Sequence, residues 1–208
     1  MSKARASKIK LFLFDVDGVM TDGKIWIFPA PAGVNDGEKD AERDASGKSA
    51  APGVPALNLI EAKGFHAHDG MGISILKHAG IKTGLITKRV SETVALRARD
   101  LRVDYVYQGI HDKRSAFEEI LGKEKLAAAN AAFVGDDVID LPVMRACGLA
   151  IALKNARAEV KREAHFITAH SGGDGGLRDA IEYVLKAQGK WKSVFEGYIA
   201  GHGSTSGQ

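Results

Sequence analysis

The stretch LFLFDVDGVMTDG, residues 11–23, joins a short apolar run to a turn rich in acidic residues. The apolar run has the length and composition of a buried β-strand. Asp15 and Asp17 leave this strand two residues apart, and alternate side chains of an extended chain point to the same side. Both carboxylates can therefore face one site, and Gly18 follows at once and lets the chain turn.

Two carboxylates this close repel each other, so a site that holds both needs compensation. A bound cation, a shared proton or both would supply it. Oxygen ligands favour a hard cation such as Mg²⁺, which takes one or two protein carboxylates together with phosphate oxygens. Further carboxylates follow an apolar run in AAFVGDDVIDLPVM, namely Asp136, Asp137 and Asp140. Asp136 is the best placed of them for a metal ligand, because Gly135 lets the chain turn just before it.

The overall composition is that of one globular domain. The chain has 208 residues, 45% hydrophobic content and a net charge of +3, with charges of both signs spread along it. This composition argues against a disordered or fibrous chain and against a nucleic-acid partner. No apolar segment reaches membrane-spanning length and no signal-peptide core follows Met1, so we expect no membrane partner and a cytoplasmic location. The single Cys147 lies in an apolar run and is expected to be buried and unreactive.

Short apolar runs alternate with amphipathic segments along most of the chain. Residues 81–87 are predicted to form a strand, and residues 90–102, with apolar positions near every third or fourth residue, a helix. The alternation predicts an α/β fold with a doubly wound, mainly parallel sheet and helices on both faces. Ligands of such sheets bind at the carboxyl ends of the strands, so Asp15, Thr87 and Asp136 should converge there.

Two segments depart from the alternation. Residues 29–55 are rich in Pro, Gly, Ala and charge without a regular period, which predicts a long mobile loop at the tip of a hairpin. The tail GHGSTSGQ, residues 201–208, is expected to be disordered. We therefore expect a single domain over residues 1–200, with a loop insertion at about 29–55.

Each polar residue alone has a simpler interpretation. An Asp after a strand often forms a turn or caps a helix, and Asp137 or Asp140 could do so here. Thr87 and Lys113 could be ordinary surface or helix-cap residues. The combination is harder to explain in this way, because each residue directly follows an apolar run or begins a helix: Asp15, Asp17, Thr87, Lys113 and Asp136.

Taken together, these segments resemble a known family. DVDGVMTDG, LITKR, the Lys113 that begins a helix and GDDVIDLPVM are similar to the motifs of the haloacid dehalogenase superfamily of phosphohydrolases. The likeness is closer to its 3-deoxy-D-manno-octulosonate 8-phosphate phosphatases, through DGMGISILKHAGIKTGLITKR, VDYVYQGIHDK and GGDGGLRDAIEYVLKAQGK. It extends from Lys10 to Lys190, with the 29–55 loop outside it. The resemblance implies a Rossmann-like domain with a small β-hairpin flap and no large cap domain.

The resemblance also implies catalytic roles in a Mg²⁺-dependent phosphatase of lipopolysaccharide sugar synthesis. Asp15 would be the nucleophile that forms an aspartyl-phosphate, and Asp17 the general acid and then base. Mg²⁺ would be held by Asp15, the main-chain carbonyl of Asp17 and Asp136. Thr87 and Lys113 would bind the transferring phosphoryl group. Asp137 and Asp140 would contact the metal site indirectly or through its water molecules.

For the sugar acid phosphate, the resemblance implies contacts from a second set of residues: Asp69, Gly70, Arg89, Arg97 and Arg178. A guanidinium could pair with the substrate's carboxylate or phosphate. Arg97 on a solvated helix face and Arg178 as an exposed residue early in the last helix are the alternatives.

The chain departs from the family pattern at several of the positions near this set: His66, His68, Ser74 and Lys88. His66 and His68 have a spacing that could face one metal, but no third nitrogen or sulfur ligand is obvious, so we do not predict zinc. The changed His68 and Ser74 positions also allow a nine-carbon sugar acid phosphate as substrate.

The resemblance further implies a homotetramer, in which hairpins of adjacent subunits assemble and the C-terminal tail covers a neighbouring site. WKSVFEGYI has helical spacing that suits packing on a partner or on its own subunit. Alternative functions are hydrolysis of a nonulosonate 9-phosphate and a non-catalytic oligomeric module. The presence of all five motif residues argues against the module.

Overall fold

The computed structural model describes residues 2–29 and 59–200. Its central element is a parallel sheet of six strands. The strands of the described residues are β1 (Leu11–Phe14), β2 (Trp26–Pro29), β3 (Leu59–Ala62), β4 (Lys82–Ile86), β5 (Tyr105–Tyr107), β6 (Ala131–Gly135), β7 (Leu149–Ala152) and β8 (Phe166–Ile167). The large sheet has the order β5-β4-β1-β6-β7-β8, and every neighbouring pair in it is parallel. The predicted parallel α/β fold is confirmed.

The helices of the described residues are α1 (Ser2–Ala6), α2 (Ala67–His78), α3 (Glu92–Asp100), α4 (Lys113–Glu124), α5 (Leu141–Met144), α6 (Ala158–Glu163), α7 (Gly176–Ala187) and α8 (Trp191–Ile199). Short 3₁₀ turns span Ala128–Asn130 and Val138–Asp140. Helix α3 begins later than the predicted residue 90, because the Ser91 side chain accepts a hydrogen bond from the Val94 N–H and caps the helix.

The side chains of β1 show why the sheet is covered on both faces. Phe12 and Phe14 lie in a buried cluster with residues of α2 and α7. Leu11 and Leu13 lie in a second cluster with residues of α4 and α5. Since alternate residues of a strand face opposite sides, an entirely apolar β1 must be buried on both. The doubly wound arrangement follows from this.

The strand order reverses beside β1. The chain passes from β1 to β4 on one side and later to β6 on the other, so β1 lies between strands that lead to opposite edges. In register, Phe14 of β1 lies opposite Leu85 of β4 and Val134 of β6. Such a reversal opens a crevice outside the carboxyl ends of the strands. The residues that directly follow β1, β4 and β6 therefore border one crevice.

Residue contacts divide the chain into two compact units, residues 1–24 with 64–208, and residues 25–63. In the second unit β2 and β3 form an antiparallel hairpin, with Trp26 opposite Ala62. The rings of Trp26 and Phe28 stack with centroids 6.5 Å apart, and both side chains are exposed. Apart from Pro29, which ends β2, the predicted 29–55 loop and the 201–208 tail lie outside the described residues.

Two further predictions concern single segments of the first unit. Cys147 is buried with no disulfide partner, and burial raises the pKa of its thiol to about 12, as expected for an unreactive side chain. Helix α8 confirms the helical spacing of its segment. Trp191 packs against the core of its own chain, whereas Phe195 and Ile199 are exposed. None of the helices in the part of the chain described is long and apolar enough to cross a membrane.

Candidate active site

The crevice beside β1 collects the polar residues that follow the strands. Asp15 directly follows β1, and its N–H donates to the Val134 carbonyl at 3.0 Å, which continues the pairing with β6. Thr87 directly follows β4 and Asp136 directly follows β6. Asp15 and Thr87 are both only 3% exposed. Burial of polar side chains at the open end of a sheet is expected where a ligand binds.

Lys113 enters the same crevice from the start of α4. The Asp112 side chain accepts hydrogen bonds from the backbone N–H groups of the first turn and sets where this helix begins. The Nζ of Lys113 lies 2.9 Å from Asp15 Oδ1 and 2.8 Å from Asp140 Oδ1, and all three side chains are buried. Burial acts to lower the pKa of Lys113, but Asp140 and Asp15 raise it overall, so the ammonium stays charged.

An acidic cluster surrounds this ammonium. Oxygen atoms of Asp15, Asp136 and Asp140 lie within 4.8 Å of one another, and these are the carboxylates among residues 2–29 and 59–200 that could hold a metal ion. Burial, followed by repulsion from Asp140, raises the pKa of Asp15 to about 7 and that of Asp136 to about 8. The single positive charge of Lys113 does not balance the negative charges of three ionised carboxylates.

A divalent cation fits the acidic cluster. Oδ1 of Asp136 is buried and accepts no hydrogen bond from any described residue. A buried carboxylate oxygen in this position is costly unless it coordinates a cation or is protonated. An oxygen-only donor set is the kind that Mg²⁺ prefers. Asp17 contributes no carboxylate to the cluster; its predicted contribution to the metal is its main-chain carbonyl.

Asp140 supports the turn that carries Asp136. Its Oδ1 faces Lys113, and its Oδ2 accepts hydrogen bonds from the backbone N–H groups of Asp136, at 3.0 Å, and Asp137, at 3.4 Å. Asp137 caps the short 3₁₀ turn that follows. Both carboxylates therefore accept hydrogen bonds from backbone N–H groups of this turn. This agrees with the simpler interpretation of Asp137 and Asp140 as helix caps. The pairing of Asp140 with Lys113 was missed by sequence reasoning, since the two residues are 27 positions apart and no spacing rule links them.

Asp17 is partly buried, with its side chain 21% exposed. Its Oδ2 is 3.6 Å from Nε of Arg89, a residue predicted to bind substrate. Gly18 follows with a φ of +84°, and a Cβ at this position would lie 2.0 Å from Oδ2 of Asp136. The turn after β1 therefore needs glycine both for its backbone conformation and to leave room for the Asp136 carboxylate.

Comparison of the sequence with known proteins identifies the family to which this chain belongs. Residues 85–181 match the model of the haloacid dehalogenase-like hydrolases. The chain is 34% identical over 187 residues to the 3-deoxy-D-manno-octulosonate 8-phosphate phosphatase of Escherichia coli strain K12, an alignment covering 90% of this chain and 85% of that protein. This chain belongs to the haloacid dehalogenase-like hydrolase family. It is a phosphatase of that family.

Solved structures of the family have the same fold. A probable phosphatase of the YrbI family from Pseudomonas syringae is 34% identical with a TM-score of 0.78, and the match covers 95% of this chain and 96% of that one. The 3-deoxy-D-manno-octulosonate 8-phosphate phosphatase of Moraxella catarrhalis, solved with magnesium, phosphate and the sugar acid KDO, is 30% identical. Its TM-score is 0.76, with coverage of 94% of this chain and 97% of that one.

Apart from Arg89, the residues with predicted family roles in substrate binding form a second group around α2: Asp69, Gly70, Arg97 and Arg178. Asp69 is 2% exposed, and its Oδ1 accepts a hydrogen bond from the Arg178 N–H at 2.8 Å, in the first turn of α7. Burial raises the pKa of Asp69 against the lowering effect of backbone N–H groups of Arg178 and Gly175. A Cβ at Gly70 would lie 2.4 Å from Nη2 of Arg97, so the glycine makes room for this guanidinium.

The two arginines of this group contact their own subunit. The Arg97 guanidinium lies 5.8 Å from the Phe65 ring centroid, and the Arg178 guanidinium 5.1 Å from that of Trp191. Nε of Arg178 also lies 2.9 Å from Glu182, and its side chain is 19% exposed rather than free in solvent. Arg178 lies in α7, so it does not begin the last helix, which is α8.

Three of the positions that depart from the family pattern, His66, His68 and Ser74, lie in or next to α2. The rings of His66 and His68 meet edge to face with centroids 4.8 Å apart. The Ser74 hydroxyl donates to the Gly70 carbonyl at 3.3 Å. Of the predicted site residues, the structure thus joins Asp15, Lys113 and Asp136 in one cluster and Asp17 with Arg89, and it groups Asp69, Gly70, Arg97 and Arg178 around α2.

Proposed function

We propose that this phosphatase is Mg²⁺-dependent and removes the phosphate of 3-deoxy-D-manno-octulosonate 8-phosphate through an aspartyl-phosphate intermediate, in lipopolysaccharide sugar synthesis. The proposed reaction is supported chiefly by one observation: Asp15 is buried between the Lys113 ammonium and the carboxylates of Asp136 and Asp140. The names of the relatives support the substrate.

Asp15 would attack the phosphorus atom. Its backbone is held by β6 and its side chain by Lys113, so the attacking oxygen has a defined position. Attack forms a P–O bond to the carboxylate and breaks the bond to the sugar oxygen. Water then attacks the aspartyl-phosphate, releasing inorganic phosphate and restoring the Asp15 carboxylate.

Asp17 would supply and then remove a proton. Its carboxyl follows Asp15 by two residues and is 21% exposed, so it would be able to reach the leaving sugar oxygen. Protonating the sugar oxygen avoids an alkoxide leaving group. The resulting Asp17 carboxylate can accept a proton from the water that attacks the intermediate.

The Asp15 and Asp136 carboxylates and the Asp17 carbonyl are the groups we propose for Mg²⁺. The bound ion would neutralise the negative charge that a phosphate dianion and a carboxylate nucleophile bring together. Thr87 and Lys113 would bind the phosphoryl oxygens, and the ammonium already lies within hydrogen-bonding distance of the nucleophile.

Arg89 is the proposed substrate-binding residue nearest the proposed general acid. Asp69, Gly70, Arg97 and Arg178 remain proposed contributors to substrate binding, and their mutual contacts would let them act as one element. We propose a homotetramer in which the C-terminal segment covers a neighbouring site. The exposed apolar side chains of the hairpin unit, including Trp26 and Phe28, support assembly.

The deciding experiment measures phosphate release from a panel of sugar acid phosphates, with Mg²⁺ or with EDTA. We expect turnover of the eight-carbon substrate that EDTA and Asp15→Asn both abolish. Asp22→Asn is the matched control, because Asp22 lies in the same turn with its side chain 45% exposed and paired with Lys24 at the surface. Selective turnover of a nonulosonate 9-phosphate would show that this nine-carbon compound, and not the eight-carbon one, is the substrate. A folded oligomer without Mg²⁺-dependent turnover would favour the non-catalytic module.

A further inference from the structure

The loop after β7 contacts the turn after β1, residues 15–23, through the side chain of Asn155. This turn carries the proposed nucleophile and general acid and is called the catalytic turn below. Nδ2 of Asn155 donates to the Gly18 carbonyl at 2.9 Å, and Oδ1 of Asn155 accepts from the Gly172 N–H at 2.8 Å. Gly18 and Gly172 are buried. One amide side chain thus satisfies an acceptor and a donor on two segments that lie far apart in the sequence.

The segment that carries Gly172 packs directly on the catalytic turn. A Cβ at Gly172 would lie 1.9 Å from the Gly18 carbonyl oxygen, and one at Gly173 would lie 2.4 Å from the Asp22 nitrogen. The Gly173 N–H also donates to the Val19 carbonyl at 3.3 Å. The two backbones touch without intervening side chains, so the position of one segment determines that of the other.

The same β7 loop also holds the Asp136 turn. The Arg157 N–H donates to the Asp136 carbonyl at 2.9 Å, two residues after Asn155. The Gly18 peptide therefore lies between the Asp136 carboxylate on one side and the Asn155 amide on the other.

Asp15 and Asp17 differ in how they are anchored. The Asp15 backbone is held by the sheet and its side chain by Lys113. Asp17 lies beyond the sheet and directly precedes Gly18, so the position of its peptide depends on the turn. Weakening the turn should therefore displace Asp17 more than Asp15.

We propose that Asn155 is a positioning residue that holds the Gly18 peptide, and thereby Asp17, in the geometry needed to protonate the leaving group. This inference rests on the proposed function. It predicts a defect that depends on the leaving group. An alkyl phosphate needs protonation of its leaving oxygen, whereas p-nitrophenyl phosphate releases a stabilised phenolate without it.

The test compares kcat/KM for the sugar phosphate and for p-nitrophenyl phosphate, since kcat/KM reports the steps up to departure of the leaving group. Asn155→Ala removes both hydrogen bonds. Asn155→Asp keeps an acceptor for Gly172 but places a carboxylate oxygen against the Gly18 carbonyl. We expect both variants to lose about tenfold or more on the sugar phosphate and less than about threefold on the aryl phosphate.

Asn130→Asp is the matched control. Nδ2 of Asn130 also donates to a backbone carbonyl, that of Lys8, at 3.0 Å, but Asn130 lies before β6, at the opposite end of the sheet. We expect kcat/KM for both substrates to stay within about twofold of the wild type. Thermal unfolding of all variants verifies that they are folded at the assay temperature.

Equal losses on both substrates, or no loss on either, from a folded Asn155→Asp variant would overturn the positioning role while leaving the proposed function intact. A wild-type protein that hydrolyses neither substrate would instead overturn the proposed function, and the positioning role with it.

Discussion

The Nζ of Lys113 lies 2.8 Å from Oδ1 of Asp140, and both side chains are almost completely buried. This pair joins the start of α4 to the turn after β6. Because the same ammonium lies 2.9 Å from Asp15, it also joins both elements to the end of β1. A single cation thereby connects the proposed nucleophile to the turn that carries a proposed metal ligand.

Removal of the ammonium should destabilise the protein. Lys113→Met leaves the buried carboxylates of Asp15 and Asp140 without their cation, and we expect the free energy of unfolding to fall by about 3 kcal/mol at slightly alkaline pH. The loss should be smaller in mild acid, where Asp15, whose pKa burial raises to about 7, takes up a proton. Urea unfolding in EDTA measures it, with the exposed Lys123→Met as control. Equal losses for the two variants would contradict the role of the buried pair.

The acidic cluster predicts an unusual dependence of stability on pH. The pKa of Asp15 is raised to about 7 and that of Asp136 to about 8, so between about pH 4 and pH 8 the folded protein holds protons that the unfolded chain has released. In EDTA the free energy of unfolding should therefore fall as pH rises through this window, by several kcal/mol.

Added Mg²⁺ should reverse this trend, because metal binding requires deprotonated carboxylates and so strengthens with pH. Urea unfolding across the same window, with EDTA and with Mg²⁺, measures both curves. The double variant Asp15→Asn, Asp136→Asn should flatten the EDTA curve. A stability in EDTA that rises with pH would show that the carboxylates do not share the buried environment described.

Gly18 should tolerate no side chain. Gly18→Ala would place a Cβ 2.0 Å from Oδ2 of Asp136 and displace that carboxylate, so we expect Mg²⁺ affinity to fall about tenfold or more. Gly80→Ala is a matched control, because Gly80 has a similar φ of +75° with nothing within 4 Å of its added Cβ.

Both substitutions carry the cost of a left-handed backbone conformation, about 1 kcal/mol. Only Gly18→Ala should change Mg²⁺ affinity, measured by calorimetric titration. Unchanged affinity in a folded Gly18→Ala protein would show that the position of the Asp136 carboxylate is unimportant for the metal.

Arg89 should discriminate between substrates with and without a carboxylate. Its side chain is 42% exposed and its Nε lies 3.6 Å from Oδ2 of Asp17, so the guanidinium borders the turn that carries the proposed general acid. We expect Arg89→Gln to lower kcat/KM for the sugar acid phosphate about tenfold and for p-nitrophenyl phosphate much less. The exposed Arg99→Gln serves as control. A larger rise in KM than fall in kcat would indicate binding; a selective fall in kcat would indicate an effect through Asp17.

Much of the fold could be predicted because its signals are local. Three short apolar runs each form a strand and end at a polar residue: Asp15, Thr87 and Asp136. Parallel strands bring their carboxyl ends to one edge, so the convergence of these residues follows from topology alone. The start of α4 at Lys113 was predictable for the same reason, since a capping Asp precedes it.

Contacts between distant segments could not be predicted in this way. Asp140 meets Lys113 across 27 positions, Asp69 meets the Arg178 N–H across 109, and Asn155 meets Gly18 across 137. Each depends on how a helix or loop packs against its neighbours, which no periodicity of the sequence records.

The sequence by itself determined the succession of strands and helices along the chain. It also determined that the site lies at the carboxyl-end edge of the sheet, and the chemical type of most side chains there. These properties follow from the periods of strand and helix and from the rule for parallel sheets. Tertiary structure alone decided which carboxylate pairs with the buried ammonium, which asparagine forms a hydrogen bond to the turn after β1 and why Gly18 must lack a side chain. Those outcomes depend on distances of a few ångströms between segments, and such distances are set only when the packed elements exclude water and one another's atoms.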